Sequence, residues 1–228
     1  VAGVVSRIVR DLGWWIQDYA YAAVRQVAAV VDRRDAAELR TGTATPVVVL
    51  PGVYESWRFL RPLAESLHAA GHPIHVIEPL RHNRRPVADG ARDVSTYLDA
   101  HDLAGVTVVA HSKGGLIGKE VMLGPAGHRI RGMVAIATPF GGSRYARFLL
   151  SRSLRIFSPR DATILRLARE TAVNARIVSI YAEFDPHIPE GSELPGARNV
   201  RLATGGHFRV LAHPRVLSEI KGTLHRAA

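Results

Sequence analysis

Val106-Thr-Val-Val-Ala-His-Ser-Lys-Gly-Gly115 is a β-branched, apolar run that ends at Ser112, where a helix-forming segment reaching Leu123 begins at once. A serine on so sharp a strand-to-helix turn is held in a strained conformation with its hydroxyl exposed. The turn needs small residues two before and two after the serine. Ala110 and Gly114 occupy those positions. A small-x-Ser-x-Gly string is common by itself; the strand before it and the helix after it give it weight.

Working outward, further short apolar runs predict strands at Val47–Leu50, Ile74–Ile77, Val106–Ala110, Ile130–Ala137, Ile177–Tyr181 and Val200–Ala203. Helical patterns fall near Glu55–Ala70, Val87–His101, Ser112–Leu123, Arg144–Glu170 and Pro214–His225. Near-continuous apolar strands alternating with amphipathic helices argue for an α/β fold, doubly wound. Its central sheet is mostly parallel, with about six strands and helices on both faces. Residues 1–40 read as a separate N-terminal helical arm. In it Val5, Ile8, Leu12, Trp15, Tyr19, Ala22, Val27 and Val30 form an apolar stripe, and Gly13 offers a break. Laid on the rest of the chain by that stripe, the arm is a packing helix; left free, it is a dimer surface or an interfacial membrane helix. The polar stretch Thr41–Pro46 ends it, so residues 41–228 form the main domain, with a short lid-like insertion at 143–175.

A chain of 228 residues, 47% hydrophobic and 22% charged, is an ordinary globular sequence and excludes a disordered or fibrous one. With no cysteine there is no disulfide, thiolate zinc site or cysteine nucleophile. The net charge is +10, and arginine carries it, since Lys113, Lys119 and Lys221 are the only lysines. The arginines are spread along the chain without a basic tail or an interleaved aromatic platform. This composition speaks against nucleic acid and leaves peripheral contact with an anionic membrane open. No apolar run is long enough to span a bilayer. The chain begins at Val1, consistent with a trimmed start, and the compartment stays open.

A nucleophilic serine needs a base and an orienting acid, which on this topology follow in the order serine, acid, histidine. Ala182-Glu-Phe-Asp-Pro-His-Ile-Pro189 places Asp185 just past the carboxyl end of a strand, with Glu183 as its rival. Ala203-Thr-Gly-Gly-His-Phe208 sets His207 on a glycine-softened loop after the last strand, with His213 and His187 as alternatives. An oxyanion calls for two backbone N–H donors. Val53, in the Pro51-Gly-Val-Tyr54 turn after the first strand, and Lys113, directly after the serine, fit. The Lys113 ammonium itself suits a surface pair or an acidic substrate group.

Five motifs recur in one order: LPG at 50–52, AHSKGG at 110–115, ATPFGGS at 137–143, EFDPHIP at 183–189 and GGHFRVLAHPRV at 205–216. With them the chain resembles the small bacterial lipase and esterase group of α/β-hydrolases over residues 46–228. The resemblance implies Ser112 as nucleophile, Asp185 as acid, His207 as base and the Val53 and Lys113 amides as oxyanion hole. The expected reaction is carboxylic ester hydrolysis through an acyl-enzyme, on a small-molecule ester or lipid. No metal and no organic cofactor is implied. Relatives carry His-Gly where this chain has Pro51-Gly52, and methionine or glutamine where it has Lys113. Substrate contacts are expected from Tyr54, His111, Phe140, Phe148, Leu149 and Leu154. A thioesterase or acyltransferase on the same fold is the alternative, and a non-catalytic binding protein the more distant one. A homodimer through the arm is a further expectation.

Overall fold

The computed structural model describes residues 2–226, so Val1 and residues 227–228 of the sequence-derived domain bounds lie outside it. Six parallel strands form one sheet: β1 (Val47–Leu50), β2 (Ile74–Val76), β3 (Val106–His111), β4 (Ile130–Ile136), β5 (Ile177–Phe184) and β6 (Arg198–Gly205). Their spatial order is β2-β1-β3-β4-β5-β6. All the pairings are parallel, as crossover helices require.

Alternation along each strand sorts the core into two layers. Val48, Leu50, Val108, Ala110 and Met133 pack beneath α3 (Val87–Ala100), α4 (Lys113–Leu123) and α6 (Ala162–Arg169). Val47, Val49, Val109, Val134 and Ile180 pack on the other face against α2 (Arg61–His68) and α7 (Pro214–Arg226). The near-continuous apolar runs seen in the sequence are thus strands covered on both sides.

Where the structure departs from the sequence reading, the causes are local. The helical span at 55–70 is a 3₁₀ turn, Trp57–Leu60, followed by α2, which starts where Pro62 fits its first turn. The span at 144–170 divides into a 3₁₀ turn (Arg144–Phe148), the single-turn α5 (Arg152–Arg155) and α6. The Ser143 and Asp161 side chains each accept a backbone N–H two residues on and so open new elements. β5 runs three residues beyond Tyr181 and delivers the chain directly to Asp185.

The helix of the arm, α1 (Ala2–Val31), is not interrupted at Gly13 but stops nine residues short of the expected end, and a loop and the 3₁₀ turn Ala36–Leu39, capped by Asp35, follow it. The apolar stripe of α1 divides: Val5, Ile8, Leu12, Val27 and Val30 are exposed, while Tyr19 and Ala22 face the domain. Polar side chains dock the helix as well. The Arg25 guanidinium donates to the carbonyls of Arg58 and Phe59 at 3.0 and 3.3 Å, Gln26 donates to the Tyr54 carbonyl, and Asp18 is fully buried. Periodicity identifies an apolar face but not which face meets protein.

Beneath the sheet's first layer, Lys119 of α4 is fully buried, and its ammonium has no hydrogen-bond acceptor among the described residues. The Phe140 ring lies 5.8 Å from Nζ. Burial pushes the amine down to about 8. The unfolded chain then holds more protons between that value and the ordinary 10.5, so stability rises with pH across the interval. Lys119→Met is expected to stabilise the protein by about 1–3 kcal/mol at pH 7, since it removes a polar group buried without a partner. Urea unfolding at pH 7 and pH 10.5 checks this, and the gain should shrink at the higher pH.

Candidate active site

Ser112 sits between the end of β3 and the start of α4 with φ +50° and ψ −119°, a strained backbone for a residue with a Cβ. The turn survives because its neighbours are small. A Cβ on Gly114 would run into the Leu50 carbonyl, and one on Gly115 into the Thr138 side chain. Ala110 is fully buried and stands beside Leu50 of β1 and Ala135 of β4.

The structure brings Asp185 and His207 to this serine. The Ser112 Oγ and His207 Nε2 are 3.0 Å apart, and His207 Nδ1 and Asp185 Oδ2 are 2.8 Å apart. Asp185 Oδ1 accepts the backbone N–H groups of His187 and Ile188 at 2.7 and 3.0 Å, which fixes the carboxylate's rotation. Against this carboxylate the ring places its proton on Nδ1 and offers the Nε2 lone pair to the serine hydroxyl. All three side chains are buried.

Burial by itself would raise the Asp185 carboxyl, but the charge and hydrogen bond of His207 and the His187 amide outweigh it and hold it below the ordinary carboxylate value. Burial by itself would lower His207. The Asp185 charge and hydrogen bond, with the charges of Asp18 and Glu55, prevail and hold the ring above 6.5.

The rival residues do not make these contacts. Glu183 is exposed and faces Arg10 at 3.6 Å. His213 accepts the Arg215 N–H at the start of α7. His187 stacks obliquely on His207 with ring centres 4.8 Å apart but makes no bond to Ser112, and burial followed by the His207 charge pushes it down to about 4.

The turn after β1 is folded around its own side chains. Gly52 N–H donates to the Glu55 carboxylate at 2.7 Å and Tyr54 N–H to the His82 carbonyl at 2.7 Å, with Tyr54 at φ +62°. The Val53 N–H between them has no acceptor among the described residues. Lys113 is the first residue of α4, and its N–H has no intrahelical acceptor. Its side chain serves neither a surface pair nor a substrate. It is fully buried, and the ammonium donates to the carbonyls of Asn83 (2.9 Å) and Arg85, with burial, then the Arg85 charge, lowering it to about 8.

A cavity of about 620 Å³ opens over Ser112 and His207. Tyr54, Leu149 and Leu154 line it as the sequence suggested, joined by Phe59, Phe157 and Phe208 and by Tyr19 and Ala22 of α1. The remaining three expected contacts lie off the cavity wall. His111 is fully buried, bonded through Nδ1 to Glu55 and through Nε2 to the His207 carbonyl. Phe140 belongs to the core under α4. Phe148 is 69% exposed and turned to solvent beside Arg147.

Asp18 is the residue the sequence reading missed. Its carboxylate accepts the N–H groups of His207, Phe208 and Arg209 at 3.0, 2.8 and 2.7 Å, from a position 189 residues away in the chain from His207. No local signal pairs residues so far apart.

No family model matches the chain. Over 147 residues it is 29% identical to a protein of Azorhizobium caulinodans named carbamate hydrolase RutD, with 61% of this chain matched. The match spans about half of that relative's length, 52%. Similar solved structures include Rv0554 from Mycobacterium tuberculosis, with a TM-score of 0.64 and 17% identity over 82% of this chain and 92% of that one. Another is the Bacillus licheniformis lipase BlEst2, with a TM-score of 0.62 and 15% identity over 81% and 92%. A third is a monoacylglycerol lipase from Paleococcus ferrophilus, with a TM-score of 0.58 and 16% identity over 82% and 96%. At such identities the likeness speaks to architecture. The parallel six-strand order, the serine turn between β3 and α4, and these neighbours together give the chain the α/β-hydrolase fold.

Proposed function

We propose that the protein is a serine hydrolase that cleaves carboxylic esters. The observation that carries this reading is the pair of contacts from His207, 3.0 Å to Ser112 Oγ and 2.8 Å to Asp185 Oδ2, at the floor of a mainly apolar cavity. His207 takes the hydroxyl proton as Ser112 attacks the ester carbonyl, and the amides of Val53 and Lys113 receive the oxyanion. The protonated ring then returns its proton to the leaving alcohol. Water, deprotonated by the same ring, releases the acid from the acyl-enzyme. A panel of p-nitrophenyl esters set against acyl thioesters tests the reading. Faster turnover of the esters supports it, and preference for thioesters transfers the site to the alternative chemistry. Because the base must be neutral and its ring is held above 6.5, kcat/KM should rise with pH along a limb lying above that value.

The cavity's apolar walls call for an acyl chain. Each methylene buried there contributes about 0.8 kcal/mol, so kcat/KM should climb from acetate toward octanoate and then flatten. Leu149→Ser with Leu154→Ser should level that climb. An unchanged profile would assign both leucines to packing alone.

The surface around the cavity favours lipid. Tyr19 and Ala22 of α1 and Leu149 of the insertion line the cavity, and Val27 and Val30 of the same helix and Leu150, next to Leu149 in the chain and 97% exposed, are open to solvent. Arg147, Arg155 and Arg160 belong to the same insertion, with Asp161 beside them, and Arg144 is paired with Glu190 at 3.7 Å. Among the described residues no helix is long and apolar enough to cross a membrane. The proposed partner is therefore an anionic lipid surface met peripherally, with binding to anionic vesicles that weakens as salt rises. A concentration-dependent mass without vesicle binding would assign the stripe to a second copy of the chain.

A further inference from the structure

We infer that Asp18 is a positioning residue for the proposed base: from α1 its carboxylate clamps three consecutive backbone amides, His207, Phe208 and Arg209, and sets both the place and the electrostatics of the imidazole. The inference rests on the serine-hydrolase reading and deepens it.

The geometry on both sides of the clamp is built for it. Gly205 and Gly206 precede the histidine, and Gly206 lies at φ +121°. A Cβ on Gly205 would stand 2.5 Å from the Trp14 ring, and one on Gly206 2.5 Å from Asp18 Oδ1. The two glycines therefore admit α1 against the loop, a closer approach than the softening that their sequence suggests. The His207 main chain is held from both ends. Its N–H goes to Asp18, and its carbonyl accepts from His111, which is tied to Glu55 and so to the Gly52 amide of the turn after β1.

Asp18 is fully buried, and no cation pairs with it among the described residues; the Arg209 guanidinium turns instead to Thr204 and the Gly205 carbonyl. Three amides satisfy the carboxylate, as at a helix start, and here they open the 3₁₀ turn Arg209–Ala212. A buried anion is costly, but both oxygens are in use, Oδ2 by His207 and Oδ1 by Phe208 and Arg209, and a neutral amide offers only one acceptor oxygen. Beside the base the charge has a use, because the ring becomes an imidazolium as serine attacks, and a fixed negative charge stabilises that state. The groups facing His207 are Asp185 and His187 from the loop after β5, Glu55 from the turn after β1, His111 from β3 and Asp18 from α1, while Tyr19 of α1 lies against His187. Among them Asp185, Asp18 and Glu55 raise the ring's affinity for a proton.

Asp18→Ala and the isosteric Asp18→Asn are compared with the full-length parent on a dissolved p-nitrophenyl ester. The expected result is a fall in kcat of about 10- to 100-fold with KM changed little, as when a reacting group is misplaced by a fraction of an ångström. The acid limb should move to lower pH in Asp18→Asn, because one of the charges that raise the ring is gone. Labelling of Ser112 by a serine-reactive phosphonate should slow in proportion. Arg25→Ala, which loosens the same helix from the Arg58 and Phe59 carbonyls, is the control for docking alone. It should lower Tm and leave the limb in place. If Asp18→Ala does not fold, Asp18→Asn decides. An Asp18→Asn protein with parental kcat, limb and labelling rate overturns the inference while leaving the hydrolase reading intact. A parent that is not labelled at Ser112 overturns both.

Discussion

Ser112→Ala is expected to lower kcat on p-nitrophenyl butyrate by about 10⁴-fold or more, leaving only what the oxyanion amides and binding supply. The effect is large because no neighbouring group can replace the hydroxyl. Lys113, the nearest charged side chain in sequence, is tied to two backbone carbonyls, and His187 makes no bond to the serine. The exchange removes one oxygen from a backbone that alanine must hold at the same φ of +50°, so circular dichroism and Tm should show a folded protein. Turnover within about tenfold of the parent would remove Ser112 from the chemistry.

Asp185→Asn should cost kcat about 10⁴-fold with the fold intact. The reason lies in how the carboxylate is held. Oδ1 accepts two backbone N–H groups, from His187 and Ile188, and only an oxygen fits there. The amide of the variant must then turn its NH₂ toward His207 Nδ1, where Oδ2 now accepts. The ring is forced to carry its proton on Nε2 and faces Ser112 with a donor, so it cannot take the hydroxyl proton. Raising the pH should restore little, since the defect is one of tautomer and not of protonation. Parental activity in a folded Asp185→Asn protein would mean that another acid, such as Glu183, orients the ring.

The sequence exposes much of this because the sheet is buried on both sides. Val47-Val-Val-Leu50 and Val106-Thr-Val-Val-Ala110 need no partner information to be read as strands, and the serine, acid and histidine follow β3, β5 and β6 in turn. Element ends are less legible, since they depend on side-chain caps such as Ser143 and Asp161 acting through single hydrogen bonds. Which side of α1 meets the domain is only partly legible. The apolar stripe is the burial face that the hydrophobic effect favours, yet Asp18 and Arg25 find backbone partners far away in sequence, so that Tyr19 and Ala22 meet the domain while Val5, Ile8, Leu12, Val27 and Val30 stay outside. Lys113 and His111 were misread for the same reason. A charged or polar side chain next to a nucleophile looks available to substrate until the carbonyls and carboxylate that occupy it are in place. The role of Gly205 and Gly206 also depends on contacts that only the folded chain brings together.

The most direct measurement is peptide mapping by mass spectrometry after reaction with a serine-reactive phosphonate. One adduct on Ser112, lost in His207→Ala and in Ser112→Ala, is the result expected if His207 activates that hydroxyl across 3.0 Å. An enzyme that hydrolyses esters while Ser112 remains unmodified, or that is labelled there equally well without His207, would contradict it.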